Sequence, residues 1–379
     1  MINVTFEIRH YDTAVLRFEA ECDSSEPCLK IIWINSDHSD LLPLGMNVSD
    51  SGVYKWLRSR TIPKNRAYVH NLLSKAGLSI NRPMNIIRAT KGLSLNDAYW
   101  IVEDGFEGTF DKYNLYDNRF SRVLALIAFT GYGSSIRSSL ASSPEFTTNG
   151  ILPKCWRRES GKIKLYKGGT KGASNTGNEP YSEYYAYQVA EAIGVNAVQY
   201  GLSKWKGEIC STCELFTSKE VSFVPVGRIV TDGGMKKVRK LYRELGFEAA
   251  LDDMLVLDAV IANTDRHYGN FGFLVDSRKN KIIASAPLFD HGNSLFNFAG
   301  RDDLTSLESL ESYAETLVPC VYDDFIGTAR AVLTQRHREG LRKLLEFSFK
   351  RNSTYNLPSG RLKLIEQTVR KRAGELLAR

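Results

Sequence analysis

The stretch from Ile261 to Asn270 constrains this chain more than any other part of its sequence. It holds Asp265 and, five positions later, Asn270, and Asp290 follows after a further twenty positions. Apolar residues at helical spacing just before the stretch predict a buried helix: Leu251, Met254, Leu255, Leu257 and Ile261. Two strands are predicted at 271–275 and 281–284, joined by a turn. Three oxygen-bearing side chains should therefore lie at the ends of rigid elements, as a precise site requires.

This arrangement suits the transfer of a phosphoryl group from a nucleotide. Such a transfer needs a carboxylate that orients and deprotonates an acceptor hydroxyl, and hard oxygen ligands for Mg²⁺. The spacing from Asp265 to Asn270 is that of the base and the metal-binding amide in protein-kinase catalytic loops. We therefore predict Asp265 as the base, with Asn270 and Asp290 as Mg²⁺ ligands. The alternative is a loop whose Asp and Asn side chains bond their own backbone.

The motif Asn263-x-Asp265-x-His267-x-x-Asn270 resembles the HipA-like serine/threonine kinases and, more distantly, the phosphoinositide kinases, in which the His follows the Asp. The resemblance spans residues 147–295 and, more weakly, the helical C-terminus. It implies an α+β, two-lobed protein-kinase-like fold that uses ATP and Mg²⁺ to phosphorylate a Ser or Thr hydroxyl of a protein. Several members of that family are growth-inhibiting toxins neutralised by an antitoxin, so a partner protein of antitoxin type is a further expectation.

The resemblance also points to a loop that covers the phosphates. In the HipA-like kinases this loop contains Ser or Thr and ends in Gly-x-x-x-Lys, a pattern that Gly150 and Lys154 match. It is neither a Walker loop nor a GxGxxG lid. A hydroxyl residue three positions before the loop glycine can be autophosphorylated in the family, and here that residue is Thr147, with Thr148 beside it. The alternative is a threonine pair that makes a local turn.

Lys167 is the predicted phosphate-binding lysine. Period-two alternation places it on the apolar face of a strand at 162–167, where a lysine needs an anionic partner. Glu183 is one candidate, because it shares an apolar helical stripe with Ala186 and Ala190, and kinases use such a glutamate to fix the lysine. Glu179 is the rival assignment. A third possibility is that Glu183 is exposed and stabilises the helix dipole.

Three other features near this lysine leave alternatives open. The glycines that follow it could cradle phosphate or form a flexible turn: Gly168, Gly169, Gly172 and Gly177. By resemblance, the backbone from Glu214 to Phe216 would hold the adenine, with Phe216 as an apolar contact. His267 could act on the reacting phosphate or hold Asp265 through backbone hydrogen bonds. Asp258 falls on a buried helical face and is predicted to tie down loop N–H groups.

Four domains are predicted from shifts in composition and pattern. Residues 1–35 alternate apolar and polar positions, which predicts antiparallel strands in an α+β accessory domain at 1–90. A helical and linker segment follows at 91–146, with a Ser/Gly-rich stretch at 131–144. The kinase N-lobe is assigned to 147–217 and the C-lobe to 218–379. Its last helices are predicted at 322–334, 336–350 and 360–378, with Asp323, Asp324 and Ser359 as caps.

The accessory domain also offers a nucleic-acid alternative. Five basic residues lie around two predicted short helices: Arg58, Arg60, Lys64, Arg66 and Lys75. Ser49 could cap the first helix, Pro63 fits the first turn of the second, and Gly77 would end it. A short link between them could form a helix-turn-helix, although a packing module is equally compatible. A DNA-binding regulator with a nucleotide-sensing degenerate kinase domain is thus a rival function, as is a lipid kinase.

Composition sets the remaining limits. The 379 residues are 43% hydrophobic and 25% charged, which is typical of a globular protein, and the net charge of +7 suits anionic ligands or a solvated surface. No apolar run is long enough for a membrane span, and the N-terminus lacks a signal-peptide pattern, so a cytoplasmic protein is expected. Six scattered cysteines favour thiols over disulfides, and the pair Cys210 and Cys213 is weak evidence for zinc.

Overall fold

The computed structural model describes residues 3–134 and 143–378. Its contacts divide the chain into two compact units. The first unit comprises residues 1–166, 215–224 and 273–283, and the second comprises 167–214, 225–272 and 284–379. Part of the predicted Ser/Gly-rich linker, 135–142, lies outside the described residues. The predicted domain boundaries at residues 90, 146 and 217 stay predictions.

An antiparallel sheet opens the first unit, as the alternating pattern predicts. Its strands are β1 (Asn3–His10), β2 (Thr13–Glu21), β3 (Leu29–Ile34) and β4 (Tyr99–Glu103), in the order β3-β2-β1-β4. Alternate side chains along these strands point into a shared core. This core includes Phe6, Ile8, Leu16, Phe18 and Ile101. The buried side chains remove apolar surface from water and so hold the sheet against its helices.

The helices of the first unit are α1 (Asp50–Arg58), α2 (Val69–Lys75), α3 (Pro83–Thr90), α4 (Phe110–Tyr113) and α5 (Arg122–Thr130). Ser49 caps α1 as predicted, because its hydroxyl accepts the N–H of Gly52. Pro63 does not start the second helix: α2 begins only after Tyr68, whose φ of 59° is left-handed. Residues 59–68 separate α1 from α2, so the predicted short link is wrong. Residues 92–98 were predicted as part of a helical and linker segment. They form no helix and lead into β4.

The first unit also holds two smaller sets of strands. Strand β5 (Lys154–Glu159) pairs with β6 (Lys162–Gly168), whose last two residues belong to the second unit. A three-stranded sheet of order β11-β10-β9 contains β9 (Val221–Pro225), β10 (Gly272–Asp276) and β11 (Lys281–Ser285). The predicted strands at 271–275 and 281–284 are confirmed, and the turn between them ends at Asn280 with a left-handed φ of 50°.

The second unit is mostly helical. Its strands β7 (Tyr200–Trp205) and β8 (Glu208–Glu214) form an antiparallel hairpin. Its helices are α6 (Glu179–Ile193), α7 (Val226–Ile229), α8 (Gly234–Glu244), α9 (Glu248–Ile261), α10 (Leu307–Glu315), α11 (Phe325–Val332), α12 (Gln335–Leu344) and α13 (Ser359–Leu377). The helix predicted before Ile261 is confirmed as α9, and Asp324 caps α11 as expected. Ser359 is the first residue of α13 and not its cap, and α10 was not predicted.

Among the described residues, no helix is both long and apolar enough to cross a membrane.

Candidate active site

The loop that follows α9 begins with a backbone feature that redirects the chain. Ala262 closes the helix in a left-handed conformation with φ of 49°. Non-glycine residues seldom adopt this conformation, and where they do it often marks a functional site. The N–H of Asn263 then bonds the carbonyl of Asp258, and the next three residues leave the helix axis. The turn exposes the edge of Asp265, which is half-buried, while its neighbours Asn263 and Arg266 are buried.

A buried ion pair holds this loop in place. Arg266 and Asp258 are both 0% exposed, and the guanidinium donates Nε to Oδ2 at 2.9 Å and Nη2 to Oδ1 at 3.0 Å. Arg266 also donates to the carbonyls of Asn270 at 3.2 Å and Phe289 at 2.6 Å. Asp258 was predicted to bind loop N–H groups. Its main donor is instead this guanidinium, together with the side chain of Asn263 at 3.1 Å.

The pair fixes two loops at once, because Arg266 reaches from the catalytic-loop candidate to the segment around Asp290. Fork-shaped bidentate contacts between Arg and a carboxylate are geometrically specific as well as strong. Burial opposes the charge of Arg266, but Asp258 outweighs it and raises the pKa of the guanidinium. Breaking such a pair by removing one partner would leave an uncompensated buried charge. The sequence offered no direct signal for this contact, since eight positions separate the two residues across the helix end.

Asp265 and Asn270 lie together, as predicted. The amide of Asn270 donates Nδ2 to the carbonyl oxygen of Asp265 at 3.2 Å. The carboxylate of Asp265 accepts Nδ2 of Asn293 through Oδ2 at 3.1 Å. Because the amide nitrogen of Asn270 donates to the backbone of Asp265, its amide oxygen is the atom suited to a cation. Asn293 was not predicted as a site residue.

His267 occupies an exposed position on the same loop. Its Nδ1 accepts the N–H of Gly269 at 3.0 Å, and its own backbone N–H donates to the carbonyl of Asp265 at 2.9 Å. Both bonds are local and shape the turn between Asp265 and Asn270. They match the second of the two predicted roles, in which His267 supports the loop. A direct action on phosphate stays a prediction.

Lys167, Glu183 and Asp290 form a compact cluster of charges. The ammonium of Lys167, 6% exposed, donates to Oε1 of Glu183 at 2.6 Å and also to Oδ1 of Asp290. Glu183 is 0% exposed, and its second carboxylate oxygen accepts the hydroxyl of Ser211. The possibility that Glu183 is exposed and only stabilises the helix dipole is therefore wrong. The lysine and glutamate stand in the arrangement that the apolar stripes of their strand and helix predict.

The two carboxylates stabilise the charge of Lys167, whereas burial and the charge of Asp290 raise the pKa of Glu183. Burial alone would lower the pKa of Lys167, but the carboxylates of Asp290 and Glu183 outweigh burial and raise it above its usual value. The lysine is therefore a cation across the physiological range. Asp290 adopts a left-handed φ of 60°, and its backbone N–H donates to the hydroxyl of Tyr200 at 3.1 Å. Burial raises the pKa of that phenol, which keeps it neutral.

Glu179, the rival to Glu183, has a different role. It is the first residue of α6 and 1% exposed, and its carboxylate accepts the backbone N–H of Thr170 at 3.2 Å as well as the Thr170 hydroxyl. A Cβ atom on Gly169 would lie 2.8 Å from this carboxylate, and one on Gly292 would lie 3.3 Å from the Cβ of Glu179. The glycine-rich turn after β6 is thus bound to Glu179 and not an unconstrained linker.

The predicted phosphate loop lies in the first unit. Gly150 has φ of 92°, and a Cβ on it would lie 2.2 Å from Nζ of Lys154. Lys154 is 5% exposed, and its ammonium donates to the carbonyl of Asn149 at 2.9 Å. The backbone of the loop therefore packs against the ammonium of Lys154, which lies at its end. In this conformation the charge of Lys154 helps to shape the loop.

Thr147 and Thr148 both form hydrogen bonds through their side-chain hydroxyls. Thr147, 4% exposed, donates its hydroxyl to the carbonyl of Leu93 at 2.8 Å. Thr148 donates to the carbonyl of Pro144 at 2.7 Å and accepts Nε1 of Trp156 at 2.9 Å. The bonds of Thr147 and Thr148 to the carbonyl of Pro144, at 3.4 Å and 2.7 Å, match the predicted alternative, a local turn, whereas Leu93 lies outside the loop. Phosphorylation of Thr147 would need the segment to leave this conformation.

Two of the predicted DNA-binding arginines are buried inside the first unit. Arg60 binds Asp97 at 2.8 Å, and both its exposed fraction and that of Arg66 are 2%. Arg66 donates to the carbonyls of Glu145 and Lys154, each at 2.7 Å. These two cations therefore serve packing. The basic surface predicted around the two helices is correspondingly smaller.

The predicted adenine contacts lie at a strand end. Glu214 is exposed at the last position of β8 and belongs to the second unit, whereas Phe216 falls in the first. The ring of Phe216 is half-buried and packs edge-on against Phe223, with centroids 5.6 Å apart. Adenine binding by this segment stays a prediction.

No protein-family model matches the chain. Over 156 residues the chain is 28% identical to the serine/threonine-protein kinase CtkA of Helicobacter pylori, a match that covers 36% of this chain and 46% of that kinase. The matched part thus spans less than half of this curated relative.

Two solved structures are similar. A chain of the HipA, HipB and operator DNA complex from the toxin–antitoxin system of Shewanella oneidensis MR-1 aligns over 97% of this chain and 96% of its own, with a TM-score of 0.54 and 13% identity. The proinflammatory kinase CtkA of Helicobacter pylori aligns over 61% of this chain and 90% of its own, with a TM-score of 0.49 and 17% identity. The first of these establishes the fold, and the sequence match supports the HipA-like kinase family. The predicted resemblance and the predicted fold class are confirmed.

Proposed function

We propose that this chain, which has the HipA-like kinase fold, transfers the γ-phosphoryl group of ATP to a serine or threonine hydroxyl of a protein. The observation that carries the proposal is the cluster of Lys167, Glu183 and Asp290. A buried lysine fixed by a glutamate, beside a carboxylate suited to Mg²⁺, is the arrangement by which kinases bind and polarise ATP phosphates. A structural ion pair alone would not need a third charge.

Each side chain has a role in this mechanism. Lys167 binds a phosphate oxygen, and Glu183 holds the ammonium in place. Asp265 orients the acceptor hydroxyl and takes its proton as the phosphorus–oxygen bond forms, and the leaving diphosphate carries the electron pair of the broken bond. Asn293 donates to the carboxylate of Asp265, and Arg266 donates to the carbonyl of Phe289.

The donor set fits Mg²⁺. Asn270 offers an amide oxygen and Asp290 a carboxylate, which are the hard ligands this cation takes, together with phosphate oxygens. When bound, the metal would neutralise charge on the phosphates. Among residues 3–134 and 143–378, no group of three or more His, Cys, Asp or Glu side chains could hold a metal by itself. A metal at this site would be held by Asn270, Asp290 and the phosphates of the nucleotide.

The proposed partners follow from the relatives. HipA is assembled with HipB and operator DNA in the similar structure, so we include an antitoxin-type partner in the proposal. The proposal also keeps two predictions made from the sequence. Gly150 and Lys154 would contact phosphate, and Glu214 and Phe216 would contact adenine. A lipid kinase remains the rival enzyme, since the Asp-x-His-x-x-Asn motif is common to both families. Assays with protein and lipid acceptors separate the two.

Asp265→Asn tests the proposal. It keeps the size of the side chain and removes the base, so turnover should fall by about 10²-fold or more while the affinity for ATP with Mg²⁺ changes little. Single-turnover phosphoryl transfer and nucleotide titration measure the two effects. His38→Gln is the control for a general loss of folded protein, because His38 is an exposed residue of the first unit. Near-normal turnover of Asp265→Asn would remove Asp265 from the role of base.

A further inference from the structure

The segment directly after Asp290 contains a strained turn. Leu295 and Phe296 are consecutive residues with φ of 50° and 57°, and both are buried, at 2% and 1% exposed. Non-glycine residues keep a left-handed backbone only where their surroundings hold it, and such residues concentrate at functional sites. Two in succession, a few residues from Asp290, indicate a conformation that the rest of the unit enforces.

One arginine forms three hydrogen bonds to this turn. Arg361, near the start of α13, donates Nη2 to the carbonyls of Phe296 at 2.7 Å and Asn297 at 3.0 Å, and Nη1 to that of Ala299 at 3.2 Å. The N–H of Leu295 donates to the carbonyl of Ile261 at 2.7 Å, at the end of α9. The turn is thus bound by its carbonyls to the C-terminal helix and by an amide to the helix that precedes Asp265.

The turn delivers Asn293 to the carboxylate of Asp265. Nδ2 of Asn293 donates to Oδ2 of Asp265 at 3.1 Å, while its Oδ1 accepts Nδ2 of Asn297 at 3.3 Å. The backbone carbonyl of Asn293 accepts the N–H of Thr264 at 3.1 Å. Because a carboxylate oxygen only accepts, the nitrogen side of the amide must face Asp265, and its oxygen side then accepts from Asn297. A single orientation of the amide is therefore built in.

We propose that Asn293 is a positioning residue for Asp265 and that Arg361 maintains it through the 293–299 turn. The amide fixes one carboxylate oxygen, which directs the other oxygen at the acceptor hydroxyl. The C-terminal helix thereby controls the orientation of the base from outside the site. The inference rests on the proposed function, because it takes Asp265 as the base.

The first experiment compares Asn293→Ala in two backgrounds. With Asp265 present, loss of a hydrogen bond to a charged group should lower kcat by about 10-fold or more and leave the affinity for ATP with Mg²⁺ unchanged. With Asp265→Asn, the same change should cost nothing further, since Asn293 acts through the carboxylate. An equal loss in both backgrounds, an unchanged kcat, or a weaker Mg²⁺-dependent affinity would each overturn the proposal.

The second experiment tests the arginine. Arg361→Met should speed amide hydrogen exchange in residues 293–299 and lower kcat to the level of Asn293→Ala, with no added effect in the double variant. Arg370→Met is the matched control, because Arg370 lies on the same helix and donates Nε to the carbonyl of Phe347 at 2.7 Å. It should leave both the exchange of the turn and kcat unchanged. If Arg361→Met does not fold, Arg361→Lys carries the same comparison, and normal exchange with normal kcat in the folded variant would contradict the role of Arg361.

The two levels of inference fail in different ways. A wild-type protein that neither binds ATP with Mg²⁺ nor transfers phosphate would refute the proposed function. An active wild type whose Asn293→Ala variant keeps its kcat would refute only the role of Asn293. The exchange of the 293–299 turn in the Arg361 variants is measured without nucleotide and so decides the structural link in either case.

Discussion

At Lys167 the choice between a structural and a chemical role depends on the number of partners. A lysine with one buried glutamate would be a neutral pair, and replacing such a pair with apolar residues often costs little. Here Glu183 and Asp290 both contact the ammonium, and burial together with the charge of Asp290 raises the pKa of Glu183 although Lys167 opposes that shift. A Mg²⁺ ion brought by a nucleotide would offset the repulsion between the two carboxylates. The arrangement is therefore better suited to binding Mg²⁺ with ATP than to stability alone.

His10 provides a residue-scale prediction in the first unit. It is 3% exposed on β1 and its ring packs 4.7 Å from that of Tyr99. Burial lowers the pKa of His10 to about 4, against the opposing effect of a hydrogen bond from its ring to the backbone of Ser277. Below its usual pKa of about 6.5 the unfolded chain binds the proton and the folded one does not. Stability due to neutral His10 is therefore present above that pH and is lost as the pH falls towards 4.

The measurement is urea unfolding of wild type and His10→Phe, which keeps an aromatic ring and cannot titrate. Between about pH 7.5 and about pH 5, the wild type should lose about 2 kcal/mol more of its unfolding free energy than the variant. Other groups titrate equally in both proteins and cancel in the comparison. Parallel pH dependences of the two proteins would contradict the assignment of this proton uptake to His10.

At the scale of elements, the loop around Gly150 predicts a specific sensitivity. Gly150→Ala places a methyl group 2.2 Å from Nζ of Lys154 at φ of 92°, so both backbone strain and displacement of the ammonium follow. Gly161→Ala is the matched control, since Gly161 has φ of 80° and nothing within 4 Å of its Cβ position. Strain should cost each variant about 1 kcal/mol or more, and Gly150→Ala should lose more. Thermal unfolding of the two variants measures the difference, and equal losses would show that Lys154 adjusts freely.

The Thr147 and Thr148 segment carries the regulatory prediction. A phosphate adds about −1.5 to −2 charges and would break the hydroxyl bonds to Leu93 and Pro144. Because the hydroxyl of Thr147 is buried, modification should be slow and should follow local opening. Incubation with ATP and Mg²⁺ followed by peptide mass spectrometry measures it, with Asp265→Asn as the inactive control. An active enzyme whose 147–148 peptide stays unmodified would end this hypothesis.

The elements that the sequence predicts best are those whose periodicity is local. Strands β1 and β2 and helix α9 follow from alternation or from an apolar stripe, and the pairing of Lys167 with Glu183 follows from the faces on which they lie. The start of α2 was predicted wrongly from Pro63, because the preference of proline for a first helical turn is only a local signal. The helix starts only after Tyr68, which has a left-handed backbone. Asn293 and Arg361 could not be predicted, since their contacts depend on a strained turn that no pattern in the sequence encodes.

At the scale of the whole molecule, the two units should respond differently to nucleotide. Lys167, Glu183, Asp265, Asn270 and Asp290 all belong to the second unit. A ligand that binds only the folded protein stabilises it by mass action, by about 2.7 kcal/mol at a concentration 100 times its Kd. A non-hydrolysable ATP analogue with Mg²⁺ should therefore slow amide exchange in α6, β8 and α9 of the second unit.

The exchange pattern of the first unit then tests the phosphate loop. Helices α1 to α3 should keep their exchange rates, whereas residues 147–154 should gain protection only if Gly150 and Lys154 bind phosphate as predicted. Asp290→Ala, which removes one predicted metal ligand, should abolish the Mg²⁺-dependent part of the protection in the second unit. Protection confined to the first unit would place the nucleotide away from Lys167 and Asp290. It would then contradict the chemistry proposed for this chain. Protection of α6, β8 and α9 without change at 147–154 would retain the charged cluster as the nucleotide site and remove Gly150 and Lys154 from it.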